Sequence, residues 1–403
     1  MSTGSVSQTI LTTDQTFSEL GLSRALVDVV EGIGFEHPTR IQAQAIPVAL
    51  AGGDVMGLAE TGSGKTAAFG LPMAEQLRHG KGVRGLILSP TREIALQTRQ
   101  FLEVIGKHHD LRTAILIGGV KMGPQIDDLN RSPDILVATP GRLLDHVRRR
   151  NVRLDRIEQL VLDEADHMLD LGFLPQITEV LDLLPSKRQT MMFSATMPPP
   201  IERLAQRLLS APTRIDIIPH GRTARGIEHR LYIVEPDNMR PCLMALAAAE
   251  SGSMLVFLRR KIDAEWAYRQ LHQEGHSAER IHSDRSQSQR VKALEGLRSG
   301  KNRILIATNI AARGIDIPII EHIVNFGVPD TVEEYIHRAG RTARGDAEGV
   351  VSTIATWKEK EQIRMIEKAI EAPLPRLAAA GVEPYRERRK THRGRQIRRR
   401  RLL

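Results

Sequence analysis

The sequence contains a single cysteine, Cys242, few aromatic residues and no long apolar run. One thiol excludes a disulfide within the chain, so we expect a reducing, cytoplasmic setting. No run approaches the roughly 18–20 apolar residues that span a bilayer, and the N-terminus lacks a basic region followed by an apolar core. We therefore expect neither a membrane segment nor a secretory signal. Aromatic residues make up only 3% of the chain, so an extended aromatic surface is not expected.

The net charge of +9 is concentrated at the C-terminus. Residues 386–403 hold ten Lys or Arg and one Glu, whereas the other 385 residues hold 47 basic and 47 acidic side chains. A segment this short and this charged cannot bury enough apolar surface to fold alone. Clustered arginine fits phosphate well, so we interpret the segment as a nucleic-acid contact, with a solubilising end as the alternative.

Short apolar runs alternate with amphipathic stretches along both halves of the chain. Runs that are apolar throughout and separated by helices are typical of a parallel sheet covered on both faces. The pattern stops near 211–228, a stretch rich in Pro, Gly and Arg, and then restarts. The sequence therefore predicts two α/β domains, at 17–216 and 228–372. A linker at 217–227 joins them, with a flexible head at 1–16 and a basic tail at 373–403.

The segment AETGSGKT (59–66) follows the predicted strand 54–59 and leads into a predicted helix. This is the context in which a phosphate-loop match is credible, rather than a glycine-rich turn with a chance Lys-Thr. Gly62 and Gly64 would bring backbone N–H groups close to phosphate oxygens. Lys65 would reach the β- and γ-phosphates of ATP, and the Thr66 hydroxyl would hold Mg²⁺. The whole loop is a candidate nucleotide site: Ala59, Glu60, Thr61, Gly62, Ser63, Gly64, Lys65 and Thr66.

A second motif, the acidic VLDEAD (161–166), ends another predicted strand. Such a strand delivers Asp163 and Glu164 to the carboxyl edge of the sheet, where ligands bind. We expect Asp163 to complete the Mg²⁺ shell and Glu164 to orient or deprotonate the attacking water.

The six letters GRTARG occur twice, at 221–226 and 340–345. The second copy follows a helix-like segment, and Arg338 and Arg341 would share a face if helix or tight turn continues there. We expect them to act as arginine fingers supplied by the second domain to ATP held by the first. The first copy lacks the preceding His-Arg and lies in the linker. We interpret it as coincidence, with a basic linker near nucleic acid as the lesser alternative.

Together these residues resemble the DEAD-box ATP-dependent RNA helicases of superfamily 2, over roughly 17–372. The family's motifs occur in order: GFEHPTRIQ (34–42), AETGSGKT (59–66), PTREIALQ (90–97), GG (118–119), TPGR (139–142), DEAD (163–166), SAT (194–196), LVFLRRK (255–261), HSDRSQSQR (282–290), ATNIAARGID (307–316) and HRAGRTAR (337–344). The resemblance implies two tandem RecA-like domains, each a mostly parallel sheet covered by helices, with a flexible basic C-terminal tail.

The resemblance also implies roles that the residues alone do not assign. Gln42 would read the adenine edge, with Phe35 near the base and Phe17 supporting it. Asp316 would hold the ribose from the second domain. Coupling between the ATP state and the grip on RNA would involve Asp166, Ser194, Thr196 and His337. RNA would be contacted through its sugar–phosphate backbone by Thr91, Arg92, Gly119, Thr139, Arg142, Gln287, Arg290 and Thr308.

The resemblance therefore implies an RNA helicase that uses ATP and Mg²⁺ and has weak RNA sequence preference. Two alternatives remain: a DNA helicase of the same superfamily, and a non-catalytic RNA clamp. The expected partners are RNA and ribosome-assembly or RNA-decay proteins, and the chain is expected to be a monomer. Four positions depart from the family pattern: Ile94, Ser283, Asn309 and Ala343. Only the Asn309 change, which removes a charge beside the domain interface, bears on interdomain coupling.

Overall fold

The computed structural model describes residues 12–59, 62–77, 82–217, 226–308, 320–342 and 348–385. These residues form two parallel sheets, one in each half of the chain. Residues 1–11, the linker segment 218–225 and the basic segment 386–403 lie outside the described residues. Within the described residues, no helix is long and apolar enough to cross a membrane.

The first domain is built on a seven-stranded sheet with the order β3-β4-β2-β5-β6-β1-β7. All its pairings are parallel. The strands are β1 (Val55–Leu58), β2 (Gly85–Leu88), β3 (Thr113–Leu116), β4 (Ile135–Ala138), β5 (Gln159–Leu162), β6 (Gln189–Ser194) and β7 (Thr213–Asp216). The helices are α1 (Arg24–Gly32), α2 (Arg40–Leu50), α3 (Lys65–Gln76), α4 (Arg92–Gly106), α5 (Met122–Asn130), α6 (Pro140–Arg148), α7 (Ala165–Asp170), α8 (Leu174–Leu181) and α9 (Pro199–Leu208).

The second domain is built on a six-stranded parallel sheet with the order β10-β11-β9-β12-β13-β8. Its strands are β8 (Ile227–Ile233), β9 (Met254–Leu258), β10 (Ala278–Ile281), β11 (Ile304–Thr308), β12 (His322–Phe326) and β13 (Gly349–Ala355). Its described helices are α10 (Met239–Ala249), α11 (Lys261–Gln273), α12 (Gln287–Arg298), α13 (Val332–Ala339) and α14 (Lys360–Ala369). Short 3-10 turns occur at Ser18–Leu20, Lys107–His109, Pro236–Asn238 and Trp357–Glu359.

Each sheet has an apolar core on both faces, which confirms the predicted fold class. In β2, Ile87 packs into one cluster of buried side chains, whereas Leu86 and Leu88 pack into another. In β9, Phe257 and Val256 likewise enter different clusters. Successive side chains of a strand point to opposite faces, so a strand buried on both faces must be apolar at every position. This is why the strands read as continuous apolar runs.

Parts of the expected head and tail pack against the domains. Thr13 N donates to Pro38 O at 2.9 Å, which brings the end of the expected head onto the first domain. At the other end, residues 375–385 run beside β8, where Leu377 N donates to Leu231 O and Tyr385 N to Ile233 O, both at 2.8 Å. Because β8 is an edge strand, its outer backbone groups need such partners. The segment 373–385 thus differs from the flexible tail expected from its sequence.

A buried histidine gives the second domain a specific acid sensitivity. His322 in β12 is 3% exposed, and its Nε2 lies 2.8 Å from the Ser352 hydroxyl. Burial lowers the pKa of His322 to about 4. In the unfolded chain the pKa returns to about 6.5, so the stabilisation is complete above pH 6.5 and is lost as the pH falls toward 4.

We therefore expect His322→Gln to flatten the pH dependence of stability. Between pH 7 and pH 5 the wild type should lose about 2 kcal/mol of unfolding free energy more than the variant, since that is the linkage contribution of this pKa change. Denaturant midpoints at the two pH values measure this difference. The exposed His37 provides the control, because His37→Gln should keep the wild-type dependence. Equal pH dependence in the wild type and His322→Gln would contradict the assignment.

Candidate active site

The phosphate loop and the acidic motif meet at the carboxyl edge of the first sheet. Strand β6 lies between β1 and β5 in this sheet. The loop after β1 therefore lies near the loop after β5, on either side of Ser194, the last residue of β6. Ala59 N donates to Ser194 O at 3.0 Å, and Asp163 N donates to Leu88 O at 3.0 Å. The topology thus brings together motifs about a hundred residues apart in the sequence.

In its described part, the loop after β1 has two glycines in the left-handed backbone region. Gly62 and Gly64 have φ values of 89° and 94°, which favour glycine. A Cβ at Gly64 would also overlap the side chain of Gln42. Lys65 begins α3, is 6% exposed, and donates from Nζ to Ala59 O at 2.8 Å. Thr66 follows it in the helix, and Glu60 and Thr61 lie outside the described residues.

The acidic pair is buried beside Lys65. Asp163 is 3% exposed, and burial together with the neighbouring Glu164 charge raises its pKa. Burial also opposes ionisation of Glu164, but the hydrogen bond from His167 and the charges of Lys65 and Arg341 outweigh it and lower its pKa. The two carboxyl groups therefore differ: Glu164 is stabilised as an anion, whereas burial and the Glu164 charge outweigh the stabilisation that Lys65 gives to an Asp163 anion. A further cation near Asp163 would favour its ionised form.

Of the predicted adenine-side residues, Gln42 lies against the same loop. Gln42 is 3% exposed in α2, accepts from Thr39 N at 2.9 Å and donates to Gly64 O at 3.1 Å. Phe17 is buried, and its ring centroid lies 6.4 Å from that of Phe35. The Phe35 ring in turn lies 6.2 Å from that of Phe101. Gln42 therefore couples α2 directly to the phosphate loop, and its contact with adenine stays a prediction.

A hydrogen-bond network joins the acidic motif to the segment after β6. Asp166 Oδ2 accepts from the backbone N and the Oγ1 of Thr196, at 2.9 and 3.0 Å. Ser194 Oγ accepts from Asp166 N at 3.2 Å and donates to Thr196 O at 2.7 Å. The structure thus brings together Asp166, Ser194 and Thr196, three of the four residues expected to couple the two activities.

The two expected arginine fingers have different surroundings. Helix α13 ends at Ala339, so Arg341 lies beyond it in a turn. Arg338 donates to Asn325 Oδ1 and Glu334 Oε1, both at 2.7 Å, within the second domain. Arg341 is 6% exposed, and its charge acts on Glu164 across the domain interface. The chain continues from the helix as a tight turn, in which Arg341 N donates to Arg338 O at 3.1 Å. The two guanidinium groups nevertheless have different partners. Asp316 lies outside the described residues.

A cleft of about 1400 Å³ lies between the two domains beside this site. It is lined by six of the eight residues expected to contact RNA: Thr91, Arg92, Thr139, Arg142, Arg290 and Thr308. Asp166, Thr196 and His337 also line it. Gly119 itself is not part of the lining, although Gly118 is, and the Gln287 side chain is outside the described part of the structure.

Backbone and ion-pair contacts hold the polar wall of the cleft in place. Thr91 caps α4 by accepting from Ile94 N at 3.3 Å. Arg142 donates twice to Val120 O, at 3.2 Å each. Across the interface, Arg290 Nη1 lies 3.0 Å from Glu93 Oε1, and both side chains are largely buried. The domains are thus in direct contact along the cleft.

Family comparisons agree with this geometry. A family model described as DEAD/DEAH box helicase matches residues 39–204, and one described as helicase conserved C-terminal domain matches residues 238–346. The DEAD-box ATP-dependent RNA helicase CshA of Bacillus cereus is 40% identical over 366 residues, which cover 90% of this chain and 70% of the relative. CshA of Bacillus subtilis is 39% identical over 364 residues, which cover 90% and 74%. The chain belongs to the DEAD-box ATP-dependent RNA helicases.

Solved DEAD-box structures share both domains of this helicase. S. cerevisiae Dbp5 bound to RNA and ADP BeF3 matches with a TM-score of 0.81 at 28% identity, covering 91% of this chain and 96% of that one. A DEAD box protein from Methanococcus jannaschii matches with a TM-score of 0.52 at 35% identity, covering 90% and 99%. The second is more similar in sequence, but its structure fits less well. Of the two, the RNA- and nucleotide-bound protein has the higher TM-score.

Sequence reasoning missed several residues that line the helicase cleft. Arg259 and Lys261 follow β9 and lie in the cleft wall, where each pairs with a carboxylate at 2.8 Å, Asp330 and Asp284 respectively. Phe173 adds an apolar side chain to the wall of the first domain. The two cations lie within the motif LVFLRRK, so a run of basic residues at the end of a strand was the available signal.

Proposed function

We propose that this chain hydrolyses ATP to ADP and phosphate while it grips single-stranded RNA by its backbone, and thereby disrupts short RNA duplexes or RNA–protein complexes. The observation that carries the proposal is the position of the acidic motif. Asp163 and Glu164 face the phosphate loop, whereas Asp166, two residues later, lines the interdomain cleft. One short helix start thus touches both the nucleotide site and the candidate RNA site.

In the nucleotide site, the described side chains suit ATP and Mg²⁺. Among the described residues, no group of three or more His, Cys, Asp or Glu forms a metal site made by protein alone. Mg²⁺ in phosphoryl-transfer sites takes one or two protein ligands, with phosphates and waters completing the shell. Thr66 and the buried Asp163 would hold the ion, which would neutralise charge on the phosphates. Lys65 would exchange its bond to Ala59 O for bonds to the β- and γ-phosphates.

The remaining groups supply the chemistry of water attack. Glu164, stabilised as an anion, would accept a proton from the attacking water or orient it. Arg341 would approach the γ-phosphate from the second domain, so hydrolysis requires the two domains to be closed. Arg338 would act indirectly, by positioning Arg341. Its bonds to Glu334 and Asn325 fix the end of α13, and Arg341 follows that end.

RNA would lie in the cleft and be held through its backbone. The lining offers hydroxyls and guanidinium groups, which bind phosphate and sugar without reading bases. Binding would then be salt-dependent and weakly sequence-selective. RNA that contacts residues on both walls would favour closure, and the bonds from Thr196 to Asp166 would pass this closure to Glu164 and Asp163.

The experiment that tests the proposal is ATP hydrolysis by the wild-type chain with RNA, with DNA of the same sequence, and with no nucleic acid. We expect RNA alone to stimulate hydrolysis and to support displacement of a short duplex. Equal stimulation by DNA would favour the DNA-helicase alternative. Tight RNA binding without hydrolysis would favour a non-catalytic clamp. Either outcome would contradict the proposed function.

Deletion of residues 386–403 is expected to weaken RNA affinity and leave turnover at saturating RNA unchanged. Each tail arginine that neutralises a phosphate releases a counterion, with a slope of about 0.7 in log affinity against log salt per contact. The truncated chain should therefore show a shallower salt dependence in an RNA-binding titration. Replacing the ten basic residues by glutamine keeps the length and removes the charge. Overlapping slopes for all three proteins would reduce the tail to a solubility feature.

The setting of the protein follows from the same features. A single, buried thiol at Cys242 suits a reducing compartment, so we place the protein in the cytoplasm. The site is complete within one chain, which supports action as a monomer. Ribosome-assembly or RNA-decay proteins remain the proposed class of protein partner.

A further inference from the structure

The residue that follows the DEAD motif, His167, contacts the proposed base directly. It is the third residue of α7 and is 5% exposed. Its Nδ1 lies 3.1 Å from Glu164 Oε2, and its backbone N donates to Asp166 Oδ1 at 3.0 Å. Its Nε2 is buried and has no hydrogen-bond partner within the described part of the chain. The Nδ1 edge of the imidazole therefore contacts Glu164, whereas the Nε2 edge makes no described hydrogen bond.

The backbone explains why the two side chains meet. Glu164 is the N-cap of α7, in the left-handed region with φ 50° and ψ 57°. Few residues other than glycine adopt this conformation, and those that do lie mostly in functional or tightly determined turns. Residues three apart at a helix start lie on the same side. The left-handed turn and the helix start together place the His167 ring beside the Glu164 carboxylate.

The charges around Glu164 give this contact a consequence. The Lys65 and Arg341 charges both act on the Glu164 carboxylate. A carboxylate oxygen accepts hydrogen bonds, so Nδ1 would carry the proton in this 3.1 Å contact. A glutamate has several rotatable bonds, so without this contact its carboxylate could turn toward either cation. A carboxylate engaged in this way is turned away from the attacking water.

We propose that His167 is a positioning residue, which holds one oxygen of Glu164 through Nδ1–H and leaves the other directed to the attacking water. This inference rests on the proposed function, because it concerns the base of ATP hydrolysis. The role belongs to Nδ1 alone, since Nε2 makes no hydrogen bond to the described residues. It predicts a defect in the chemical step without a defect in ATP binding.

The two ring nitrogens allow a matched set of variants. The amide nitrogen of asparagine can take the place of Nδ1, whereas that of glutamine extends to the place of Nε2. Leucine fills similar volume and donates nothing. In the full chain at saturating RNA, we expect His167→Leu to lower kcat by about 10–100-fold, by analogy with the loss of a group that orients a metal ligand. KM for ATP should stay unchanged. His167→Asn should recover most of the loss, and His167→Gln should not.

A second buried histidine in the same domain supplies the structural control. His146 in α6 is fully buried, and its Nδ1 lies 3.2 Å from Asn151 Nδ2, away from the residues assigned to catalysis. His146→Leu should lower the melting temperature and keep the wild-type kcat. Melting temperatures of all four variants separate lost stability from lost chemistry.

Three results would overturn the inference: a wild-type kcat in His167→Leu, equal rescue by asparagine and glutamine, or an equal kcat loss in His146→Leu. Failure of the proposed function looks different, because the wild-type chain itself would then show no RNA-stimulated hydrolysis. In that case the inference falls with it. If the wild type is active and the His167→Leu variant is inactive, the effect lies at His167.

Discussion

Lys65→Ala is expected to reduce RNA-stimulated ATP hydrolysis to background while the protein remains folded. Lys65 is the only cation in the loop 59–66, and it lies buried over that loop with Nζ bonded to Ala59 O at 2.8 Å. Its charge would neutralise the β- and γ-phosphates, and the nearby hydroxyls of Ser63 and Thr66 cannot replace a charge. Loss of one group that stabilises a developing oxyanion costs about 10²–10³ in rate, and loss of a full charge should cost at least as much.

Hydrolysis rates at saturating RNA, with circular dichroism and melting curves, measure this prediction. The exposed Lys187, in the same domain but away from the loop, gives the control, because Lys187→Ala should hydrolyse ATP like the wild type. A folded Lys65→Ala variant with the wild-type rate would remove the phosphate-loop assignment, and with it the ATPase part of the proposed function.

The parts of the site that were predictable from sequence are those set by local structure. The loop 59–66 and the motif at 163–166 each lie at the end of an apolar strand, and a parallel sheet brings such strand ends to one edge. The fold class alone therefore predicted that the loop and the motif lie at the same edge of the sheet. The contacts of Asp166 with Thr196 were expected only through the family resemblance, because no pattern in the sequence relates positions thirty residues apart.

Other features depend on contacts that spacing does not reveal. Arg338 and Arg341 were grouped because they are three apart, but Asn325 in β12 and Glu334 in α13 take the Arg338 guanidinium. The pairing of Leu377 with Leu231 was equally hidden, because residues 373–385 show no strand-like alternation. His167 is a different case. Its contact with Glu164 is local, and a histidine directly after the acidic motif was a visible signal that the sequence reasoning did not use.

Arg341→Ala is expected to lower RNA-stimulated turnover by roughly 10³ or more, the scale of a lost arginine finger. Arg341 follows α13 in a turn whose backbone is held at both ends, since its N donates to Arg338 O at 3.1 Å and its O accepts from Ile320 N at 3.2 Å. Its charge lowers the pKa of Glu164, which belongs to the other domain. The guanidinium is therefore within electrostatic reach of the proposed base, and its removal should leave ATP binding by the first domain intact.

The repeated GRTARG letters supply a matched control for this prediction. Arg222 occupies the same place in the linker copy as Arg341 does in the copy that follows α13, and it lies outside the described residues. Arg222→Ala changes the same residue type in the same six-residue context, so any general effect of losing one arginine should appear in both variants. We expect turnover at saturating RNA to collapse in Arg341→Ala and to stay near wild type in Arg222→Ala. Comparable losses would mean that the linker copy also serves hydrolysis. The two copies are expected to differ because an arginine finger needs a fixed backbone and must lie near the catalytic base. Arg341 has a fixed backbone, and its charge acts on Glu164.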